Sequence, residues 1–202
     1  AAQRRLAPEQ RFSSDYEPAP PDARRAAVLM LLVPWNEEIA LPLIRRPEDG
    51  SPHGGQIALP GGAWEPPESF PEHTAVREAE EELGIPPADI EILGTLTPLF
   101  IPVSNFTVFP VVAGRDAAPR LRPDPTEVAG GGFVPLWELA GEPAWGRFPS
   151  RRRSSSTTAS RDASIRAPYW RSRMGTIWGA TAMMLAELVE LHRMATVDGV
   201  DG

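Results

Sequence analysis

Gly61-Gly62-Ala63-Trp64-Glu65-Pro66-Pro67-Glu68-Ser69-Phe70-Pro71-Glu72-His73-Thr74-Ala75-Val76-Arg77-Glu78-Ala79-Glu80-Glu81-Glu82-Leu83-Gly84-Ile85 is the stretch around which the chain is organised. Its second half reads as one short helix. Ser69 suits the N-cap, Glu72 three residues on completes a capping box, and Pro71 fits the first turn. Gly84 suits a left-handed C-cap, and Pro86 prevents continuation. Ala75, Val76, Ala79 and Leu83 share one face at helical spacing and are expected to pack on the body of the domain. Glu78, Glu81 and Glu82 stand at i, i+3 and i+4, which predicts three carboxylates on the opposite side.

Like charges at this spacing destabilise a helix by roughly 0.2–0.5 kcal/mol per pair. Arg77 can pair with Glu81, but Glu78 and Glu82 have no cation at helical spacing. An acidic run alone reads as a solvated face. The Gly-Gly turn, cap and helix together favour a bound hard divalent cation, because Mg²⁺ prefers carboxylate oxygens and retains waters.

The remaining composition bounds the function. The 202 residues, 42% of them hydrophobic, suit one domain with a real core. A net charge of −7 gives no electrostatic footprint for nucleic acid. There is no cysteine, which excludes disulfides, thiolate metal sites and a cysteine nucleophile. There is no lysine either, which removes Walker-type and Schiff-base chemistry. The longest apolar run, Ala26 to Val33, is too short to span a membrane, and the N-terminus lacks the order of a secretory signal. A cytoplasmic enzyme is the expectation.

Residues 1–23 read as a loosely held arm, pinned by Phe12 and Tyr16. Residues 24–196 form the expected domain, and 197–202 a tail. Ala26–Val33 and Glu38–Arg46 read as strands joined by a turn at Asn36-Glu37, with Pro42 placing the second near an edge. Pro47–Gly55 reads as a loop, Gln56–Leu59 as a short extended piece, and Gly61-Gly62 as a turn. Ile90–Leu96, Phe106–Ala113 and Gly132–Val134 read as strands, Thr97–Asn105 as a loop, and Pro135–Leu139 as a helical turn. Ser150–Ala163, rich in Arg and Ser, reads as a mobile loop. Ile177, Trp178, Met184, Leu185, Leu188 and Val189 recur at helical spacing, predicting a helix from about Thr176 to Met194. The Trp178/Met183/Met184 surface suits either the core or a homodimer contact. Strands around a loop-helix insert with a second terminal helix give an α+β or α/β layer architecture.

The quoted stretch resembles the Nudix box, Gly-x5-Glu-x7-Arg-Glu-U-x-Glu-Glu-x-Gly-U, where U is bulky and aliphatic. Gly62 and Glu68 match its first part; Arg77, Glu78, Glu81, Glu82, Gly84 and Ile85 match its second. Eight residues rather than seven separate Glu68 from Arg77, and Ala79 is a small residue at a U position. His53-Gly54-Gly55-Gln56-Ile57-Ala58-Leu59-Pro60-Gly61-Gly62 resembles the stretch leading into the box of coenzyme A pyrophosphatases within that family. Leu43, Arg46, Gly55, Pro60, Gly61 and Gly62 agree with the subfamily pattern, whereas Pro42, Ile44, Pro47, Ser51 and Leu59 depart from it. The eight-residue spacing is that subfamily's own. Pro123-Asp124-Pro125-Thr126-Glu127-Val128 and Ile177-Trp178-Gly179-Ala180-Thr181-Ala182 resemble further segments of the same group. Ser51 stands where the subfamily has Arg, so a bidentate phosphate contact is missing there.

The resemblance implies an α/β/α sandwich on a mixed β-sheet. It also implies hydrolysis of a diphosphate link in a nucleoside diphosphate derivative, assisted by Mg²⁺ or Mn²⁺. The expected ligand set is Glu78 and Glu82, with Glu81 direct or through water, the Gly62 carbonyl, and Glu68, which alternatively orders the loop. Arg77 suits locking Glu81 or the loop. A general base is expected on a neighbouring loop, where Glu127 is the candidate and Glu82 its rival. Arg45, Arg46, His53 and Gly61 are candidates for contact with a substrate phosphate; the alternative for His53, and the favoured one, is ordering its loop by hydrogen bonding, and for the arginines an exposed place on the strand. Trp64 and Phe100 suit either an adenine ring or packing. Coenzyme A is the leading substrate, to be split into adenosine 3′,5′-bisphosphate and 4′-phosphopantetheine. ADP-ribose or a dinucleoside polyphosphate is the alternative, and a nucleotide sensor without turnover is a third reading.

Overall fold

The computed structural model describes residues 2–9, 19–50, 53–149 and 164–198. Phe12, Tyr16, Ser51 and the 150–163 segment lie outside the described residues.

The apolar run becomes β1 (Arg24–Trp35), the central strand of a mixed sheet. β1 pairs in parallel with β7 (Phe106–Gly114) and antiparallel with β2 (Glu38–Arg45) and β4 (Gly61–Ala63). The sheet runs β3 (Ile57–Ala58), β2, β1, β7, β5 (Glu91–Thr95), with β6 (Leu99–Ile101) on β7 and β8 (Gly130–Pro135) on β2. The β1–β2 turn has Asn36 at φ 49° and Glu37 at φ 66°, a left-handed pair that suits a two-residue hairpin.

Both faces of β1 are covered, which is why it reads as a continuous apolar run rather than an alternating one. Ala27, Leu29, Leu31 and Val33 face α2 (Glu72–Leu83) and pack with Ala75, Ala79 and Leu83. Ala26, Val28 and Met30 face the other layer, with Met183, Met184, Leu185, Leu188 and Val189 of α3 (Gly179–Asp198). The period of two along the strand thus feeds two separate cores, giving the expected α/β/α sandwich. Among the described residues no helix is long and apolar enough to cross a membrane.

Several expectations are corrected. α2 begins at Glu72 with Pro71 as N-cap and no side-chain cap, so Ser69 and Glu72 form no capping box. Gly61-Gly62 is not a turn but a strand zipped onto Val28 and Ala27. Pro42 lies in an interior strand: β8 covers 40–45 on one side, while β1 and β3 on the other pair only 38–40 and 44–45. A residue without an N–H is cheapest in that gap. Part of the expected 97–105 loop is β6, hairpinned onto β7. Thr176–Trp178 belongs to β11 (Gly175–Trp178), which with β10 (Ser164–Ser172) and β9 (Ala144–Pro149) makes a second, three-stranded sheet. The helix starts only at Gly179, whose φ is 64°. Met183 and Met184 are core residues, and Trp178 stacks on Phe148 at 4.2 Å between centroids within this sheet.

Residues 2–9, the described beginning of the expected arm, are held on the body. α1 (Ala2–Arg5) is followed by Leu6 and Ala7, both buried. Gln3 Nε2 donates to the Thr97 carbonyl at 2.8 Å and to Glu187 Oε2 at 2.9 Å, tying this end to α3.

Candidate active site

The C-terminal turn of α2 faces β4, and that contact builds the site. Glu82, only 8% exposed, turns inward instead of joining a solvated acidic face. The Gly61 N–H donates to Glu82 Oε2 at 2.9 Å. Gly61 has no room for a side chain: a Cβ would lie 2.3 Å from the Ala27 carbonyl oxygen and 2.6 Å from Val28 Cα. At Gly62 a Cβ would fall 2.3 Å from Glu78 Oε1, so the Glu78 carboxylate occupies the space that glycine leaves. The Gly-Gly pair therefore lets two carboxylates one helical turn apart press against a strand backbone. Glu81, the third of the set, stays outside at 46% side-chain exposure and pairs with Arg77 Nη1 at 2.6 Å.

The inward pair is electrostatically uncomfortable. Burial pushes the Glu82 carboxyl up to about 7; the Gly61 N–H and Arg46 oppose the shift, while Glu78 and Glu127 add to it. Glu78 is also raised, again mainly by burial, with Arg77 opposing through a 2.9 Å ion pair. Two half-compensated carboxylates, with the charge of Glu127 acting on both, are a donor set for a hard cation. Among the described residues no group of three or more His, Asp or Glu side chains is gathered as a preformed metal cage. That is compatible with Mg²⁺, which takes one or two carboxylates and completes its shell with water and phosphate oxygens. The residues present fit such an ion.

Glu68 sits elsewhere. Its Oε1 accepts from the Glu65 N–H at 3.0 Å and Thr74 Oγ1 at 2.7 Å, and its Oε2 accepts from Arg77 Nε at 3.0 Å, with His73 Nδ1 at 3.1 Å. Arg77 above all holds the Glu68 carboxyl down, to about 2. Arg77 also donates to the Ala63 carbonyl at 3.2 Å. One guanidinium thus fastens the 63–68 loop to Glu78 and Glu81, and its own pKa is raised, chiefly by Glu68. Trp64 belongs to the same fastening: its Nε1 donates to the Glu68 carbonyl and its ring lies under Arg25, 3.8 Å from the guanidinium carbon. Phe100 lies in β6, half-buried.

Glu127 lies on a turn anchored to α2, near enough for its charge to act on Glu78 and Glu82. The Arg122 and Asp124 N–H groups donate to the Leu83 and Glu82 carbonyls at 2.7 and 3.1 Å. Asp124 Oδ1 accepts from the Thr126 N–H at 2.8 Å and Thr126 Oγ1 at 2.7 Å. Asp124 escapes the sequence reading, although Asp-Pro-Thr is an Asx-turn pattern. Arg45 and Arg46 part company. Arg45 is engaged by the Met174 carbonyl. Arg46 lies near enough to Glu82 and His53 to act on both charges. His53 contacts Gln56 Oε1 at 3.4 Å, and burial, then Arg46, lower its pKa.

The family model described as NUDIX domain matches residues 23–154. An uncharacterized Nudix hydrolase NudL of Pectobacterium atrosepticum is 43% identical over 106 residues, which is 52% of this chain and 54% of that protein. That match thus spans about half of the relative's length. The NudL of Photorhabdus laumondii is 31% identical over 183 residues, 89% of this chain and 93% of the relative. Among solved structures, the Nudix hydrolase RenU of M. smegmatis superposes with a TM-score of 0.50 at 29% identity, covering 58% of this chain and 74% of that one. The MutT protein of Methanosarcina mazei Go1 gives a TM-score of 0.51 at 18% identity, covering 84% and 94%, a likeness of fold.

Proposed function

This chain belongs to the Nudix hydrolase family, and from that premise we propose that it hydrolyses the diphosphate bond of a nucleoside diphosphate derivative, with coenzyme A as the substrate. The observation that carries the reading is the buried Glu82 carboxylate held on the Gly61 N–H beside Glu78. Glu78 and Glu82 would hold the divalent ion, Mg²⁺ or Mn²⁺, with Glu81 and the Gly62 carbonyl as further oxygen donors. When bound, such an ion supplies charge against the diphosphate and acidifies water for attack on phosphorus.

The chain's own residues do the rest. The Gly61 N–H fixes the Glu82 carboxylate so that one oxygen remains for the ion. Glu127, on its anchored turn, takes the proton from the attacking water. Arg77 and Glu68 hold the 63–68 loop against α2 and touch no reacting atom. Arg46 and His53 face the phosphates; Arg45, engaged by Met174, positions the β10–β11 turn instead. The agreement of His53–Gly62 with the coenzyme A pyrophosphatase pattern favours coenzyme A. The departures at Ser51 and Leu59 favour the second reading, ADP-ribose or a dinucleoside polyphosphate on the same machinery.

The test is product analysis after incubation with coenzyme A and Mg²⁺ or Mn²⁺. Adenosine 3′,5′-bisphosphate and 4′-phosphopantetheine are expected. Cleavage of ADP-ribose in preference moves the assignment to the second reading.

A further inference from the structure

β8 is an edge strand: its ladder partner is β2, and among the described residues no strand pairs with its other side. It begins with three glycines, Gly130 to Gly132, an unusual composition for a strand. Packing explains only part of that run. At Gly131 a Cβ would fall 2.4 Å from Leu83 Cδ2, so a side chain there would drive α2 off the sheet. At Gly132 a Cβ would meet Met174 Sδ at 3.3 Å, which a flexible methionine accommodates. At Gly130 a Cβ would meet nothing within 4 Å, and Gly130 is not held at positive φ. The fold itself therefore makes no demand for glycine at 130. A bare strand position with no internal reason suggests that something outside the chain comes close to the backbone.

The position of this strip says what that is. Gly130 pairs with Arg45, next to Arg46, and follows Glu127 by three residues. Gly131 packs on Leu83, the neighbour of Glu82. An arm leaving a diphosphate bound through an ion at Glu78 and Glu82 would have this strip beside it. Along a free edge, alternate residues turn N–H and C=O outward, which suits an extended chain carrying secondary amides. We propose that the free edge of β8 at Gly130–Gly132 is the subsite for the amide-bearing phosphopantetheine arm of the substrate, held by backbone hydrogen bonds. This rests on the coenzyme A reading above and adds to it the residues that select for the arm.

The experiment is steady-state kinetics on coenzyme A with the full chain, its Gly130→Ala and Gly130→Val variants, and thermal melts of all three. The open space at Gly130 lets both variants fold. A β-branched side chain there rises from the sheet face beside the free edge and crowds a chain lying against it, so KM for coenzyme A rises roughly tenfold in Gly130→Val, the scale of losing one or two hydrogen bonds. Gly130→Ala gives a smaller rise, and kcat changes much less than KM. If the wild-type chain cleaves coenzyme A and neither variant moves KM, or if kcat alone falls, the subsite is wrong and the substrate assignment stands. If the wild-type chain cleaves other diphosphates but not coenzyme A, both the substrate assignment and the subsite are overturned.

Discussion

The backbone N–H of Gly61 donates to Glu82 Oε2 at 2.9 Å, a buried hydrogen bond. β4 and the last turn of α2 meet at this bond. It turns a residue that helical spacing assigns to an acidic surface into a buried, oriented carboxylate. Replacing Glu82 by Gln keeps the acceptor for Gly61 and removes the charge. The variant is expected to fold normally and to lose more than about a hundredfold in kcat/KM, beyond the usual effect of disturbing an outer-shell partner. Circular dichroism and turnover measured side by side check this. Near wild-type turnover would remove Glu82 from the ligand set.

The same burial has a pH signature in the metal-free protein. The Glu82 carboxyl is raised from 4.5 to about 7, so between those values the folded chain keeps a proton that the unfolded chain releases. The stability this group contributes is complete below about pH 4.5 and is lost as pH rises through 7. The loss is on the order of 3 kcal/mol at most. Melts in chelator from pH 5 to 8 are expected to show a falling midpoint that Glu82→Gln largely abolishes. Added Mg²⁺ is expected to raise the midpoint more at pH 8 than at pH 5, because it binds the ionised carboxylate.

Glu68 is expected to behave differently although it belongs to the same box. Its two oxygens are occupied by Arg77, Thr74, His73 and the Glu65 N–H. Glu68→Gln is expected to lower the melting midpoint and to increase protease sensitivity near the 63–68 loop, while the Mg²⁺ concentration for half-maximal activity stays within about threefold, less than the tenfold or more typical of disturbing a ligand's partners. Its depressed carboxyl gives stability that is present above about pH 4.5 and is lost as pH falls through 2. A large shift in Mg²⁺ requirement would instead make Glu68 a ligand.

Asp124 supports Glu127 through the Thr126 N–H and hydroxyl. Asp124→Ala removes both side-chain hydrogen bonds of this turn and is expected to lower kcat several-fold, with KM little changed. Asp124→Asn keeps the acceptor oxygen and is expected to restore most of the rate. Failure of Asn to rescue would show that the charge, not the turn, is what matters.

The helix of the box was legible because its signals are local. Gly84 takes φ 64°, as a C-cap glycine should, and Ala75, Ala79 and Leu83 are buried at the predicted spacing. β1, β2 and their Asn36-Glu37 turn were legible for the same reason. What failed depended on distant partners. Gly61-Gly62 has the composition of a turn and becomes a strand only because Val28 and Ala27 pair with it. Ile177 and Trp178 satisfy a helical period, yet Trp170 and Tyr169 draw them into β11. At the site, spacing put Glu78, Glu81 and Glu82 on one side of a helix. Which of them turn inward is set by the absence of Cβ atoms on β4, a fact of tertiary packing. Likewise Arg45 and Arg46 are equivalent in sequence, and only the arrival of the Met174 carbonyl distinguishes them.

One assay decides whether the proposed hydrolysis of coenzyme A occurs. Coenzyme A, ADP-ribose, NADH and diadenosine polyphosphates are incubated with the chain and Mg²⁺ or Mn²⁺, and the products are resolved by chromatography. Metal-dependent cleavage is expected, greatest for coenzyme A, to adenosine 3′,5′-bisphosphate and 4′-phosphopantetheine. No metal-dependent cleavage of any of them, under conditions where the chain is folded, would contradict it.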